Sequence, residues 1–298
     1  MKTYALAMAQ NTRGIVFMVM AMGLFAVSDA FLKVLTAALS TGQVLIIFGV
    51  TGGIVLAAFS LARGVSLYGP WFFRPIFLLR LACDAFAAAC IITAFANASL
   101  SLVSAIMQVS PLVAAICAAG LLNEKLGPAR ILAILAGLFG VLIILEPWGE
   151  NVQIGAVFAA LGSCLLALRD VLTRMLPADT PPGAMVTYGY LAIAPGGLIT
   201  MIANPTWSSI APSQIGVFAG AVLTGILGYT MITLASRAAE ISAIAPFRYS
   251  RLLFALIIGG IAFGDRLETH AIVGAALVIG SGLVVFWREA HIRHSEEL

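Results

Sequence analysis

Charged residues are scarce in this chain. Only 10% of its 298 residues are Asp, Glu, Lys or Arg, whereas soluble domains carry about 25%. Hydrophobic residues make up 61%, and the mean hydropathy is +1.07. A soluble fold could not bury this much apolar surface, so a soluble enzyme or signalling domain is excluded. The net charge is only +3 and no basic run is present, which excludes a nucleic-acid partner.

Residues that usually carry redox or metal chemistry are also few. The four cysteines all lie in apolar runs and form no Cys-x-x-Cys pair. The three histidines have no second ligand at metal spacing. The apolar runs show no nucleophile–base pair and no nucleotide-binding loop. We therefore predict no metal, no cofactor and no enzymatic activity.

Long apolar runs are what the chain has instead. A spanning helix needs about 20 mostly apolar residues, and ten runs qualify: 14–35, 43–62, 75–97, 101–122, 129–146, 152–174, 183–203, 214–236, 241–263 and 269–287. The turns between them carry Gly, Pro, Ser and Asn, and no loop is long enough for a soluble domain. The sequence predicts an all-α integral membrane protein with ten transmembrane helices, embedded in the lipid bilayer.

The orientation follows from the basic residues between these runs. With the N-terminus in the cytoplasm, ten lysines and arginines lie inside and only Lys33 and Arg266 lie outside. Cytoplasmic loops of polytopic proteins carry the excess of Lys and Arg. The prediction is a multi-pass protein of a bacterial-type inner membrane with both termini cytoplasmic.

The two halves of the chain are related at an offset of 141 residues. Charged residues coincide at this offset: Asp29 with Asp170, Lys33 with Arg174, and Glu124-Lys125 with Asp265-Arg266. Chance matches among apolar residues are common, but paired charges at one fixed offset are not. The predicted repeats are residues 12–147 and 152–290. Each contains five spans, so the halves have opposite orientations, which is typical of secondary transporters.

Several motifs carry a family resemblance from about residue 12 to residue 290. They are Ser28-Asp29-Ala30 with Lys33, Ser110-Pro111, Leu122-Asn123-Glu124-Lys125-Leu126-Gly127, Arg169-Asp170-Val171, Pro246-Phe247-Arg248-Tyr249-Ser250 and Phe263-Gly264-Asp265. With these motifs the chain resembles the EamA-type, ten-helix members of the drug/metabolite transporter superfamily. The resemblance implies a secondary transporter, and similar members include amino-acid and metabolite exporters. The Asp-Ala-x-x-Lys and Pro-Phe-Arg-Tyr-Ser segments also resemble a subgroup that takes up riboflavin or S-adenosylmethionine.

One departure from repeat symmetry bears on the site. At the 141-residue offset Pro111 coincides with Leu252, and Pro246 coincides with Ala105. The halves have therefore diverged at the helix that is most characteristic of this family. We expect an asymmetric binding site.

Two acid–base pairs lie near the ends of their spans. Asp29 and Lys33 are four residues apart, in the favoured acid-first order, and Asp170 and Arg174 repeat this arrangement. The first interpretation is a pair of local ion pairs that anchor helix ends. The functional alternative is a gate, in which each pair bridges the repeats when one side closes.

Asp84 lies about 13 Å into the third span, at about the same depth as Arg248 and Arg251 in the ninth. A charge at the bilayer centre costs roughly 2.5–3.5 kcal/mol, so such groups must face each other or a watery cavity. Arg80, one turn before Asp84, is a second candidate partner. Substrate binding and a purely structural network both remain open. Arginines would suit a carboxylate or phosphate, and Asp84 an amine or a transported proton.

A polar stripe marks the fourth span, because Ser101, Ser104, Gln108 and Pro111 share one helical face. Pro111 frees a backbone carbonyl at membrane depth, and Pro246 does the same in the ninth span. Such carbonyls are tolerated only against protein or a cavity. Helix flexing at these prolines would suit alternating access, although proline is also simply common in membrane helices.

The sequence therefore predicts a transporter of a small organic metabolite, anionic or zwitterionic, whose aromatic contacts would be Phe247 and Tyr249. The predicted substrate-binding residues are Asp84, Ser104, Gln108, Phe247, Arg248, Tyr249 and Arg251. The predicted gating or flexing residues are Asp29, Lys33, Pro111, Asp170, Arg174 and Pro246. The hypotheses of proton coupling and of a monomer or homodimer stay open. The rival functions are an ion channel and a structural or lipid-scrambling protein.

Overall fold

The computed structural model describes residues 2–122, 127–145, 153–177, 179–203, 205–238, 244–266 and 268–296. Helices make up nearly all of these residues, and no strand occurs among them. The predicted interfacial pair Glu124-Lys125 lies outside the described residues.

Eleven α-helices, two 3-10 segments and one π turn follow one another along the described chain. They are α1 (Lys2–Thr36), α2 (Thr41–Ala62), a 3-10 turn (Pro70–Phe73), α3 (Pro75–Asn97), α4 (Leu100–Met107), α5 (Ser110–Leu121), α6 (Pro128–Leu145), α7 (Ile154–Arg174), α8 (Pro182–Ala203), α9 (Pro212–Ala238), a 3-10 segment (Ala245–Tyr249), α10 (Ser250–Ile258), a π turn (Gly259–Phe263) and α11 (Thr269–Glu296).

Within this part of the chain, eight helical segments are long and apolar enough to cross a membrane. They are Thr12–Thr36, Thr41–Ala62, Pro75–Asn97, Leu100–Leu121, Ile154–Arg174, Pro182–Ala203, Pro212–Ala235 and Pro246–Phe263. Two further apolar helices, Ile131–Leu145 and Thr269–Val284, are shorter. The chain is therefore a multi-pass, all-helical membrane protein.

Local sequence signals set several helix ends. Proline occupies the first turn of α3, α6, α8 and α9, where its missing N–H costs no hydrogen bond. Ser40 and Ser99 cap α2 and α4, since each hydroxyl accepts a hydrogen bond from a backbone N–H three residues later. The π turn ends at Gly264, whose φ of +66° is a left-handed conformation that glycine adopts without strain.

The helices pack mainly as four long pairs: α1 with α9, α2 with α8, α3 with α7, and α6 with α11. Glycines allow the close approach in these pairs. A Cβ on Gly49 of α2 would lie 2.8–2.9 Å from backbone atoms of Ala194 and Tyr190 on α8. The glycine-rich face of α2 is thus used for packing inside the bundle.

Two of the spans are not continuous α-helices. The fourth span changes from α4 to α5 through Gln108 and Val109, just before Pro111. The ninth consists of the 3-10 segment, α10 and the π turn, with Pro246 in its first turn. Proline blocks the regular hydrogen-bond ladder at each break. Broken helices of this kind often line the sites of membrane transporters.

Candidate functional site

The two helix breaks contact each other in the interior of the bundle. The side-chain amide of Gln108 donates a buried hydrogen bond of 3.2 Å to the backbone carbonyl of Tyr249. This contact joins the end of α4 to the 3-10 segment of the ninth span. It is the point from which the two spans separate.

On one side of this contact the spans pack together. All eight residues of α4 are buried, and α4 packs against α10 and the π turn. At its N-terminus the backbone N–H of Ser101 donates to Oδ2 of Asp265 at 3.0 Å. The Oγ of Ser104 is buried here and has no hydrogen-bond partner among the described residues.

On the other side the spans diverge. Helix α5 packs against α7 and α6, whereas the 3-10 segment packs against α1 and α11. Phe247 and Arg248 on this 3-10 segment are exposed, and Ser110 and Pro111 at the start of α5 are half-buried. Since a cation facing lipid is costly, the exposed Arg248 is best accommodated in a watery opening. We call the region between the start of α5 and the 3-10 segment, where these residues lie, the limb cleft.

Asp84 lies in a compact cluster of charges between α3 and α7. Its carboxylate is 3.1 Å from Nη1 of Arg80 and 3.6 Å from Nε of Arg169. The Nε of Arg169 is also 3.1 Å from Oδ1 of Asp170, and the Nε of Arg80 donates to Oγ1 of Thr173 at 3.0 Å. We call these five residues the Asp84 cluster. Gly189 of α8 lies beside it, because a Cβ there would be 3.4 Å from Asp84 Oδ2.

Of the predicted alternatives for Asp84, the pair with Arg80 is confirmed, and direct contact with Arg248 and Arg251 is wrong. Arg251 instead pairs with Asp29 of α1, through Nη2 at 2.6 Å and Nε at 3.1 Å from Oδ2, and stacks over the ring of Phe25. Arg248 forms no ion pair among the described residues. Equal depth in the membrane did not bring these groups together, because their helices pack against different neighbours.

The predicted local pair of Asp29 with Lys33 is also wrong. The Nζ of Lys33 donates to the backbone carbonyls of Phe95, at 3.1 Å, and Ala98, at the C-terminus of α3. The last carbonyls of a helix lack partners within the helix and carry its negative dipole end, so a lysine stabilises them. Lys33 thus ties α1 to α3, which frees Asp29 for Arg251.

The remaining predicted residues are placed as follows. The Tyr249 side chain is buried, and its hydroxyl contacts Gly282 of α11. Pro246 is half-buried at the start of the 3-10 segment. Arg174 is the last residue of α7. Sequence reasoning did not select Arg169 as a site residue, although its position inside an apolar span was a signal that could have found it.

Comparison with known proteins supports the membrane-transport interpretation. The EamA-like transporter family matches residues 12–146. A riboflavin transporter of Vibrio cholerae is 28% identical over 65% of this chain and 65% of its own length. The aligned region is thus slightly less than two thirds of that relative.

Two other relatives are named for different solutes. The pseudopaline exporter CntI of Pseudomonas aeruginosa is 24% identical over 89% of this chain and 93% of its own. An S-adenosylmethionine uptake transporter of Rickettsia conorii is 21% identical over 60% of each chain.

A solved crystal structure has the same fold. It aligns with a TM-score of 0.61 over 91% of this chain and 96% of its own, at 19% identity. The family match and the named relatives confirm the resemblance drawn from the sequence motifs: residues 12–146 match the EamA-like transporter family, and the solved structure shows that the fold is shared.

Proposed function

We propose that this protein is a secondary transporter that moves a small organic metabolite across the bacterial inner membrane by alternating access. In this proposal ten spans form two inverted repeats, residues 12–147 and 152–290, and both termini are cytoplasmic. Substrate binds in the limb cleft, next to the Gln108–Tyr249 contact. That contact, with spans packed on one side of it and diverging on the other, is the observation that carries the proposal.

The pairing of the helices supports the inverted repeat. At the 141-residue offset α1 corresponds to α7, and α3 corresponds to α9. The pair α1–α9 therefore maps onto the pair α7–α3, and both are among the most extensive contacts in the bundle. The pairs α2–α8 and α6–α11 each map onto themselves, as a two-fold axis between the halves would require.

Contacts between equivalent residues support the same axis. Gln108 and Tyr249 differ by 141 residues and are hydrogen-bonded to each other. Gly49 and Tyr190 also differ by 141 residues and lie in contact. A residue meets its own repeat partner only where a two-fold axis passes close to both. Two such contacts, on different helix pairs, favour one axis through the bundle.

The open and closed sides indicate a conformational state. On the side away from the termini, Ser101 binds Asp265, and the Gln43 side chain exchanges two hydrogen bonds with the backbone of Ser208. These contacts join the first half to the second. With the proposed orientation, the limb cleft faces the cytoplasm and the closed side faces the periplasm. The conformation is then inward-open.

The substrate class we propose is an anionic or zwitterionic metabolite, with an aromatic ring in the case of a riboflavin- or S-adenosylmethionine-like solute. Phe247 and Arg248 offer a ring and a cation without an ion-pair partner in the described part of the chain, and Gln108 and Tyr249 form the apex of the limb cleft. Asp84, Ser104 and Arg251 have mostly buried side chains and would meet substrate after the closed side opens. Export of a metabolite is the second candidate, because the exporter relative aligns over most of both chains.

The gating residues in this proposal fall into two groups. Asp29 and Lys33 hold the periplasmic side through Arg251 and the end of α3. Asp170 and Arg174 lie at the cytoplasmic end of α7, and Pro111 and Pro246 supply the helix breaks. A monomer containing both halves would suffice for this cycle, and a homodimer is compatible with it.

Flux into liposomes tests the proposal. The purified full-length protein, reconstituted with an inward gradient of labelled riboflavin or S-adenosylmethionine, is expected to accumulate one of them above the level of empty liposomes. Arg248→Ala is expected to lower this flux at least tenfold, whereas Arg266→Ala, an exposed arginine at a span end, serves as the matched control. Equal flux in both variants would place the site elsewhere. Scrambling of labelled lipid without flux of either solute, or of a wider metabolite panel, would favour the non-transporting alternative.

A further inference from the structure

Two helix crossings in the bundle occupy equivalent positions in the two halves but differ in the number of charged side chains that they hold. Where α1 crosses α9, the hydroxyl of Ser28 donates to the carbonyl of Ala221 at 2.9 Å. At the 141-residue offset, Ser28 and Ala221 correspond to Arg169 and Arg80, where α7 crosses α3. The α1–α9 crossing carries one charged residue beside Ser28, namely Asp29, which pairs with Arg251 of α10, whereas the equivalent crossing holds the Asp84 cluster.

The charges of the Asp84 cluster divide into a fixed layer and an open layer. The side chains of Arg80 and Asp84 are only 6% and 10% exposed, and Thr173 holds Arg80 in place. The side chains of Arg169 and Asp170 are 28% and 42% exposed. Asp84 already neutralises Arg80, so the open layer is one arginine beside one aspartate.

The contacts of the open layer leave binding capacity unused. Only the Nε of Arg169 lies close to a carboxylate, at 3.1 Å from Asp170 and 3.6 Å from Asp84. This Nε is buried and forms no aligned hydrogen bond among the described residues. A guanidinium can donate five hydrogen bonds in a planar fork. A structural ion pair would normally use more of them.

We propose that Arg169 and Asp170 bind the two ends of a zwitterionic head group, Arg169 the carboxylate and Asp170 the ammonium. This inference rests on the proposed transport function and names the substrate class for it. Within the membrane, each unbalanced charge is strongly penalised. The cluster has two cations and two anions, so a zwitterion leaves the site neutral, whereas an anion or a cation does not. The head group then lies at the α3–α7 crossing, where the Asp84 cluster is.

Three matched probes test this preference on the purified full-length protein. L-Phenylalanine is the zwitterion, L-phenylalanine amide the cation and N-acetyl-L-phenylalanine the anion, and binding is measured by thermal stabilisation and by calorimetry. We expect the zwitterion to bind at least about tenfold more tightly than either derivative, since each derivative leaves one charged group unpaired. Equal binding of the three probes, or no binding of the zwitterion, overturns the inference.

Variants show whether the two residues act through charge recognition. Asp170→Asn is expected to reverse the preference in favour of the N-acetyl derivative, because the site then carries one excess cation. Arg169→Gln is expected to favour the amide in the same way. A merely structural role would weaken all three probes together and leave their order unchanged. Ser28→Ala, at the equivalent crossing of α1 and α9, should leave the order of the probes as in the parent protein.

The outcome is separable from that of the proposed function. Flux of any solute in liposomes, with no charge preference among the probes, would reject the zwitterion site and keep the transporter. Absence of flux for every solute would reject the transporter itself. Should Arg169→Gln fail to fold, Arg169→Lys retains the charge without the fork. It is then expected to keep the order of the probes while weakening the binding of the zwitterion.

Discussion

The ion pair between Asp29 and Arg251 allows a quantitative test of the architecture. It joins α1 to α10, which lie 222 positions apart in the chain. The side chain of Asp29 is 10% exposed and that of Arg251 is 22% exposed. Arg251→Gln removes the cation, keeps a polar side chain of moderate size and leaves the carboxylate of Asp29 buried without its partner.

The expected loss is large for a single substitution. Removing one partner of a buried ion pair costs about 3–5 kcal/mol, mostly because the other charge stays buried. Since Arg251 is partly exposed, we expect the lower end, about 3 kcal/mol, which is roughly a 100-fold change in the unfolding equilibrium. Asp29→Asn with Arg251→Gln removes both charges and should cost only about 1 kcal/mol, because a neutral amide pair can remain hydrogen-bonded.

The assay is a double-mutant cycle on the purified protein. Unfolding is followed by circular dichroism as the mole fraction of sodium dodecyl sulfate rises in mixed micelles, for the parent, both single variants and the double variant. The cycle isolates the pairwise coupling energy. We expect about 2 kcal/mol or more of coupling. A loss below 1 kcal/mol for Arg251→Gln, or strictly additive single effects, would refute the buried contact between α1 and α10.

Three further predictions concern packing, the helix breaks and coupling. Gly49→Ala should lower the free energy of unfolding by about 1–3 kcal/mol, because its Cβ would press on the α8 backbone. Gly120→Ala is the control: open space surrounds Gly120, so this variant should be neutral or slightly stabilising in the same unfolding assay. Gln108→Leu removes the donor to the Tyr249 carbonyl and should lower flux at least tenfold; a variant with full flux would show that the contact between the breaks is not needed for transport. If transport is coupled to protons through Asp84, an imposed pH gradient should drive uptake by the parent protein and not by Asp84→Asn. Uptake by the parent at the same rate with and without the pH gradient would reject the coupling.

Most helix boundaries were predictable from the sequence. The runs predicted at 43–62, 75–97 and 183–203 correspond to Thr41–Ala62, Pro75–Asn97 and Pro182–Ala203. Proline and capping serine mark these ends because they act within a single turn of the chain. Local signals of this kind need no knowledge of the neighbouring helices.

The partners of the buried charges were not predictable in the same way. Residue position along a span gives depth in the membrane, which is why Asp84, Arg248 and Arg251 were expected to face each other or one watery cavity. Depth says nothing about which neighbouring helix a side chain faces. Helix crossings decide this, and they bring Asp84 to Arg169 and Arg251 to Asp29.

The helix breaks at Pro111 and Pro246 were predictable from the sequence, but the contact between them was not. Pro111 and Pro246 predict interruptions in the fourth and ninth spans, because proline inside a helix removes a backbone hydrogen bond. That the two interruptions touch, through Gln108 and the carbonyl of Tyr249, follows only from the packing of the two halves. The buried state of Ser104 is likewise a property of that packing.

The sequence by itself determined that this protein lies in a membrane, that it is helical and roughly where each helix begins and ends, because transfer of apolar side chains into lipid and backbone hydrogen bonding are local effects. The tertiary structure alone decided which charges pair and which helices pack on either side of the Gln108–Tyr249 contact. These features depend on contacts between residues up to 222 positions apart. In lipid, the association of helices is decided by close packing of small residues rather than by hydrophobicity, because the lipid-embedded helices are all similarly apolar.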